Sequence, residues 1–263
     1  MKRRNLGEFF AIDKHANNSS LNDWNTTFKV SFLLIVLLLD ILLNNIFCSI
    51  IIILCMGYLT IVKGKIKIGE YVRFLLIPST FIFLSSITIA FDFSITEVGI
   101  YSVNFGIFYI YTTLDKMKFA IFLSLKALGA ISVVLTLTLS TPSGELINFM
   151  RKVHVPKLII ELMNLVYRYI FILIDIYKQM KVAATSRMGY CDYKTSLLTF
   201  SKIMSSLLVV SLMKANQHYD ALESRSYDGE IIFLKTQEEV KYSQIGFAGV
   251  FICWLLVTWF LTK

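Results

Sequence analysis

Histidine and proline are scarce in this chain, three of each in 263 residues, and acidic residues are outnumbered by basic ones, 18 against 26. The three histidines, His15, His154 and His218, all fall in polar stretches, and no His-Glu-x-x-His string occurs. Metal-assisted or acid–base chemistry inside the apolar segments therefore lacks its usual residues. Four cysteines, Cys48, Cys55, Cys191 and Cys253, have neither the close paired spacing of a zinc site nor the density of a disulfide scaffold, and read as small apolar residues. A Gly-x-x-x-x-Gly-Lys phosphate loop is also missing, so the chain does not bind ATP in that way.

What the chain has in excess is apolar surface. Hydrophobic residues make up 56% of it and charged ones 17%, with a positive mean hydropathy of +0.66. That balance excludes an ordinary soluble domain and indicates an integral membrane protein. The polar, amphipathic N-terminus, MKRRNLGEFFAIDKHANNSSLNDW, lacks the apolar core and small-residue cleavage site of a signal peptide and is expected to be retained.

A bilayer span needs about 20 mostly apolar residues. Five segments fit: Phe28 to Leu43, Ile46 to Val62, Tyr71 to Phe91 with a kink expected at Pro78, Phe119 to Leu139, and Ile245 to Thr262. The first two are parted only by Asn44 and Asn45, which predicts a tight helical hairpin. Lys2, Arg3, Arg4 and Lys14, and then Lys63, Lys65, Lys67 and Arg73, place the N-terminus and the loop after the second span in the cytoplasm. The segment 92–115 then falls outside, and 140–243, with thirteen Lys and Arg, returns to the cytoplasm. Lys116 and Lys118 sit on the wrong side for that rule. That leaves the topology of 92–118 open, with residues 100–113, IYSVNFGIFYIYTT, readable as a re-entrant or interfacial aromatic piece.

The long segment 140–243 has its own punctuation. TPSGEL starts a short helix, with Thr141 as N-cap, Pro142 at the first helical position and Glu145 in the first turn. Pro156 opens a longer run in which Lys157, Glu161, Asn164, Arg168, Asp175 and Lys178 recur at helical steps and share one stripe. Such a stripe cannot face lipid. Glu161 and Arg168 are expected to pair with other groups or with each other through Asn164. A third run, from about Tyr193 to Ser224, sets Phe200, Ile203, Leu207, Leu212, Tyr219 and Leu222 on one face.

Both long runs end in a small residue, an Arg and a breaker: Ser186, Arg187, Met188, with Gly189 next, and Ser224, Arg225, Ser226, followed by Asp228 and Gly229. An Arg in a last helical turn is worth about 0.3–1 kcal/mol against the dipole, so capping explains either end taken alone. Two such ends on adjacent helices also offer two guanidinium forks to carboxylates of a partner.

TPSGELINFMRKVHVP, LVYRYIFILIDIYKQM and YDALESRSYDGEI together resemble the transmembrane T component of energy-coupling factor (ECF) transporters, in particular its cobalt-type branch, the CbiQ family. The resemblance covers about Thr141 to Ile231 well and the spans in outline. It implies a subunit that couples a pair of ATP-binding cassette ATPases to a membrane-embedded substrate-capture subunit. It also implies docking of the ATPases on two Ala-Arg-Gly-like triplets, here Ser186, Arg187, Met188 and Ser224, Arg225, Ser226. Both arginines match, while Met188 and Ser226 stand where the family has Gly, and Gly189 or Gly229 is expected to supply the missing backbone freedom. ATP and Mg would be bound by the partner ATPases, with no cofactor in this chain. Cobalt is the first substrate expected, nickel the next, and a shared T component for vitamin uptake the alternative.

Other classes fit less well. An intramembrane hydrolase would need a Ser–His pair, two Asp or a metal set within the spans, where Asp40 is the one acid. Glu238 and Glu239 read as a solvated pair. A secondary transporter would show internal repeats, and Pro78 has no counterpart. Lys126, inside the fourth span, reads as a snorkelling or bundle-facing Lys. The expected protein is thus an all-α integral membrane protein of the cell membrane and no enzyme. It is expected to have a cytoplasmic arm at 1–27, four transmembrane helices within 28–139, a coupling domain of one short and two long amphipathic helices at 140–243, and a last transmembrane helix at 244–263.

Overall fold

The computed structural model describes residues 24–94, 101–104, 109–227 and 242–262, together with Ala16, Ser19 and Leu21. The chain divides into two compact units, one of residues 1–146 and 237–263 and the other of residues 147–236.

The first unit is a helical bundle. Helix α1 (Thr26–Leu42) starts at Asn25, whose side-chain oxygen accepts from the Thr27 and Phe28 N–H groups, and α2 (Ile46–Tyr58) starts at Asn45, which caps Phe47 N–H in the same way. The two asparagines explain why both helices begin where they do. Helix α2 ends in one π turn, Leu59–Lys63. Helix α3 (Ile68–Ala90) runs through Pro78, which cannot donate to the carbonyl of residue 74. Helix α4 (Leu114–Ser140) packs against α1, α2 and α3, and α8 (Tyr242–Thr262) packs against α2.

Strands occupy the described part of the segment read as a re-entrant or interfacial piece: Asp92–Ser94 (β1), Tyr101–Asn104 (β2) and Tyr109–Thr112 (β3) form an antiparallel sheet in the order β1-β3-β2, with Asp92 opposite Tyr111 and Tyr101 opposite Thr112. Short runs of Tyr, Val, Ile and Thr favour that pleated state.

The bundle core joins Phe32, Leu33 and Val36 of α1 to Ile52 and Met56 of α2, Val133 of α4 and Phe251 and Leu255 of α8. In lipid there is little hydrophobic drive between helices, so polar bonds and close approach matter more. The Thr60 and Thr136 hydroxyls pair at 2.9 Å between α2 and α4, and Ser49 Oγ donates to Asp40 Oδ1 at 3.0 Å between α2 and α1. Gly129 lets the α4 backbone lie on Asp40, since a Cβ there would sit 3.0 and 3.1 Å from the carboxylate oxygens.

Two lysines tie α1 and α4 reciprocally. Lys29, near the start of α1 and 3% exposed, donates to the carbonyl of Ser140, the last residue of α4, at 2.8 Å and to Leu21 O at 3.1 Å. Lys126 of α4 donates to Ile41 O at the end of α1 at 2.7 Å and to Asn44 Oδ1 at 2.6 Å. Each cation thus meets the negative end of the other helix dipole. Lys126 is accordingly a bundle-facing cap.

Among the described residues five helices are long and apolar enough to cross a bilayer: α2 with its π turn, α3, α4, α8 and a helix of the second unit, α7 (Tyr193–Glu223). Helix α1, with 17 residues, is about 25 Å long at ~1.5 Å per residue. The set therefore includes α7, which the sequence pattern marks as amphipathic. The polar face of α7 is largely Ser and Thr between Lys194 and Lys214, with Lys202 the one charge, and hydroxyls lower hydropathy little. The chain is a multi-pass membrane protein.

The second unit holds the end of α5 (Ser143–Lys152), then α6 (Lys157–Ser186) and α7. Thr141 is not the cap of α5. Helix α4 runs to Ser140 and takes Thr141 as its own C-cap, and the Pro142 carbonyl accepts from the Glu145 and Leu146 N–H groups at 3.0 and 3.3 Å. Glu145 instead accepts from Thr26 Oγ1 at 2.6 Å, fixing the first turn of α5 to the first turn of α1.

Candidate functional site

Helix α6 begins after Pro156, whose carbonyl accepts from the Ile159 and Ile160 N–H groups. Helices α6 and α7 have one pronounced apolar burial point each, Ile160 and Ile203. Much of their remaining apolar surface, including Leu158, Leu162, Val166, Leu208, Leu212 and Tyr219, is open.

Polar contacts join the start of α6 to the end of α7. Tyr227 Oη donates to Glu161 Oε2 at 2.7 Å, an Arg168 guanidinium nitrogen lies 3.3–3.4 Å from the His218 ring nitrogens, and Tyr169 Oη donates to Lys214 O at 3.4 Å. Glu161 and Arg168 therefore pair with groups of the neighbouring segment, and Asn164 Nδ2 donates back to Ile160 O.

These contacts set the end of α7 beside the start of α6, so the helices form an antiparallel pair. Arg187 and Arg225 consequently lie at opposite ends of it. A helix of 30 residues is about 45 Å long, which sets the scale of their separation.

The two ends share one backbone motif. At the first, Gly189 N–H donates to Ala184 O at 2.9 Å and Met188 N–H to Thr185 O at 3.1 Å. At the second, Tyr227 N–H donates to Leu222 O at 3.1 Å and Ser226 N–H to Glu223 O at 3.0 Å. Both are complete Schellman caps, with the left-handed residue at Met188 (φ 58°) and Ser226 (φ 54°). Arg187 and Arg225 hold the same position, one residue before it. The expectation that Gly189 or Gly229 supplies the backbone freedom is corrected at the first end, because Met188 itself takes the left-handed conformation. Gly229 lies outside the described residues.

Ser186, Arg187, Met188, Ser224, Arg225 and Ser226 are all exposed. Ser186 Oγ donates back to Val182 O and Ser224 Oγ to Ala221 O, both at 3.1 Å, so the serines serve their own helices. The arginines remain as the groups each end can present to a partner. Gly189 has a separate task. A Cβ there would lie 2.9 Å from Ala184 O and 3.0 Å from Thr199 Oγ1, so glycine allows the turn to press on α7.

Two outcomes follow from the caps. Met188→Val and Ser226→Val should each destabilise the protein by about 1–2 kcal/mol, because a β-branched residue resists positive φ, whereas Gly at either place should be neutral or mildly stabilising. Thermal unfolding in detergent measures both. Gly189→Ala should cost about 1–3 kcal/mol by overpacking, and a smaller partner at Thr199→Ser should recover part of it, read in the same assay.

The model of the family described as CbiQ, cobalt transport protein, matches residues 17–237. The chain belongs to the CbiQ family. An uncharacterized protein of Methanocaldococcus jannaschii is 30% identical over 96% of this chain and 93% of its own length. The cobalt transport protein CbiQ of Salmonella typhimurium is 27% identical over 63% of this chain and 74% of its own. That of Rhodobacter capsulatus is 30% identical over 38% of this chain and 41% of its own. CbiQ proteins are non-catalytic membrane components of ECF-type cobalt transport. Among the described residues no group of His, Cys, Asp and Glu is placed to hold a metal ion.

The structure adds three features that the sequence pattern leaves hidden: the left-handed backbone at Met188 and Ser226, the Glu161–Tyr227 bond, and the opposed placement of the two arginines. Only the second cap had a local signal, the apolar pair Leu222 and Tyr227 that commonly flanks a Schellman turn.

Proposed function

We propose that this CbiQ chain is the energy-coupling subunit of an ECF-type importer for cobalt, in which ATPase closure is passed through α6 and α7 to a membrane-embedded capture subunit. The observation that carries this reading is the pair of equivalent caps, each presenting one exposed Arg. The separation scale of about 45 Å suits one Arg on each of two ATPases better than two on one. A guanidinium offers each ATPase a bidentate fork for a carboxylate, and a capped helix end holds that fork at a defined angle.

In this reading, ATP binding draws the two ATPases together and displaces both ends of the α6–α7 pair. Continuous helices transmit the displacement to the apolar faces around Leu162, Val166, Leu208 and Leu212, where the capture subunit packs. The N-terminus and the 140–243 coupling domain face the cytoplasm, supported by Lys63, Lys65 and Lys67 at the short connection between α2 and α3, with Arg73 just beyond it. The substrate assignment rests on the names of the Salmonella and Rhodobacter relatives. The test is uptake of radioactive cobalt by native cells with and without this chain, together with identification of the subunits that co-purify with it. Cobalt uptake lost on deletion, and two ATPase copies recovered, are expected. Unchanged cobalt uptake would overturn the assignment.

A further inference from the structure

Tyr227 stands immediately after the second arginine triplet and does two things. Its N–H closes the cap on Leu222 O at 3.1 Å, and its hydroxyl donates to Glu161 Oε2 at 2.7 Å. Glu161 is 4% exposed, an unusual state for a carboxylate, and lies in the second turn of α6. The segment carrying Arg225 is thus bonded to the base of the other long helix, 66 residues away in sequence. The first triplet is held differently, by close packing of the neighbouring Gly189 on Thr199 near the start of α7.

We propose that Tyr227 and Glu161 are positioning residues for energy coupling: their bond delivers the movement of Arg225 to the start of α6. This rests on the docking reading of Arg225. The Arg168–His218 and Tyr169–Lys214 contacts join the body of α7 to α6, whereas this bond is made by the segment that carries Arg225 itself, so force on Arg225 reaches α6 at Glu161 directly. A hydrogen bond of 2.7 Å suits such a joint, because it fixes both the distance and the direction between the two segments.

The test uses the assembled transporter in native membranes. Tyr227→Phe keeps the ring and the backbone N–H while removing the hydroxyl. Expected is normal recovery of the ATPases and continued ATP hydrolysis, with cobalt uptake lowered at least about fivefold per ATP hydrolysed. Glu161→Leu should repeat that uncoupling, and Glu161→Gln, which keeps an oxygen acceptor, should restore most of it. Wild-type uptake per ATP in Tyr227→Phe would overturn the proposal. So would loss of ATPase recovery in parallel with uptake, which marks a merely structural role, or a Glu161→Leu defect that Tyr227→Phe lacks. Arg225→Ala serves as the separate control. If it leaves ATPase recovery unchanged, the docking reading fails. If it weakens recovery while Tyr227→Phe behaves as wild type, only the Tyr227 joint fails.

Discussion

Replacing Arg187 and Arg225 together with alanine is expected to abolish measurable cobalt uptake and to lower ATPase affinity by at least about a hundredfold. Truncating one partner of a desolvated charge pair costs roughly 2–5 kcal/mol, and ~1.4 kcal/mol is a factor of ten, so each arginine accounts for at least about tenfold. Insertion and folding should stay normal, since both side chains are exposed at helix ends and their dipole interaction is worth only about 0.3–1 kcal/mol. Each single substitution should weaken ATPase recovery in part, because one docking point remains. Arg→Lys should rescue poorly, as an ammonium cannot reproduce the planar fork. Wild-type uptake in the double variant would contradict the docking reading.

Lys29→Met should have the largest effect on the stability of the bundle, about 2–4 kcal/mol. The buried Lys29 ammonium donates to two main-chain carbonyls, Leu21 O and Ser140 O, and bonds to a charged donor are worth about 1.5–3 kcal/mol each. Removing it also leaves the C-terminus of α4 without its cation, next to the point where Glu145 receives Thr26. Lys126→Met removes the reciprocal contact at Ile41 O, but Lys126 is only half-buried and solvent or headgroups can replace part of it, so the loss should be smaller, about 1 kcal/mol. Unfolding of the two variants in the same detergent compares them. Equal losses would contradict the difference in burial that underlies the prediction.

Much of the fold is legible in the sequence because apolar run length and lysine placement act locally. The Asn44–Asn45 hairpin, the apolar runs from Ile46 to Val62, Tyr71 to Phe91 and Phe119 to Leu139, and the break at Pro156 each follow from a few adjacent residues. Features that depend on a second segment are not legible. Thr141 has the composition of an N-cap, yet the preceding helix continues through Ser140 and claims it. The strand Tyr109–Thr112 needs both Asp92–Ser94 and Tyr101–Asn104 beside it before its period means strand. Lys126 has one carbonyl partner and one side-chain partner, both contributed by the end of α1 and the turn after it, more than 80 residues earlier.

The candidate site divides the same way. The small-Arg-breaker strings and the resemblance single out Ser186, Arg187, Met188, Ser224, Arg225 and Ser226. Their shared cap geometry could not be read so directly, because Met and Ser rarely adopt positive φ and give no advance sign of it. At these positions the surrounding cap bonds override residue preference, at a cost of about 1–2 kcal/mol each. The strain falls at the equivalent position of both caps, directly after each arginine, and so sets the direction of the chain there in the same way. The buried Glu161 looked like one more member of a polar stripe, since its partner Tyr227 is brought to it only by the antiparallel pairing of α6 and α7.

The most direct test of the docking account is site-specific photo-cross-linking in native membranes, with the photoreactive residue placed in turn at Met188 and at Ser226. Both positions are exposed and each follows its arginine directly. The account predicts that each position yields a product with an ATPase subunit, that the two positions of one chain together capture two ATPase copies, and that Arg→Ala at the adjacent position removes the product. Cross-links to lipid or to the capture subunit alone, with no ATPase product from either position, would contradict it.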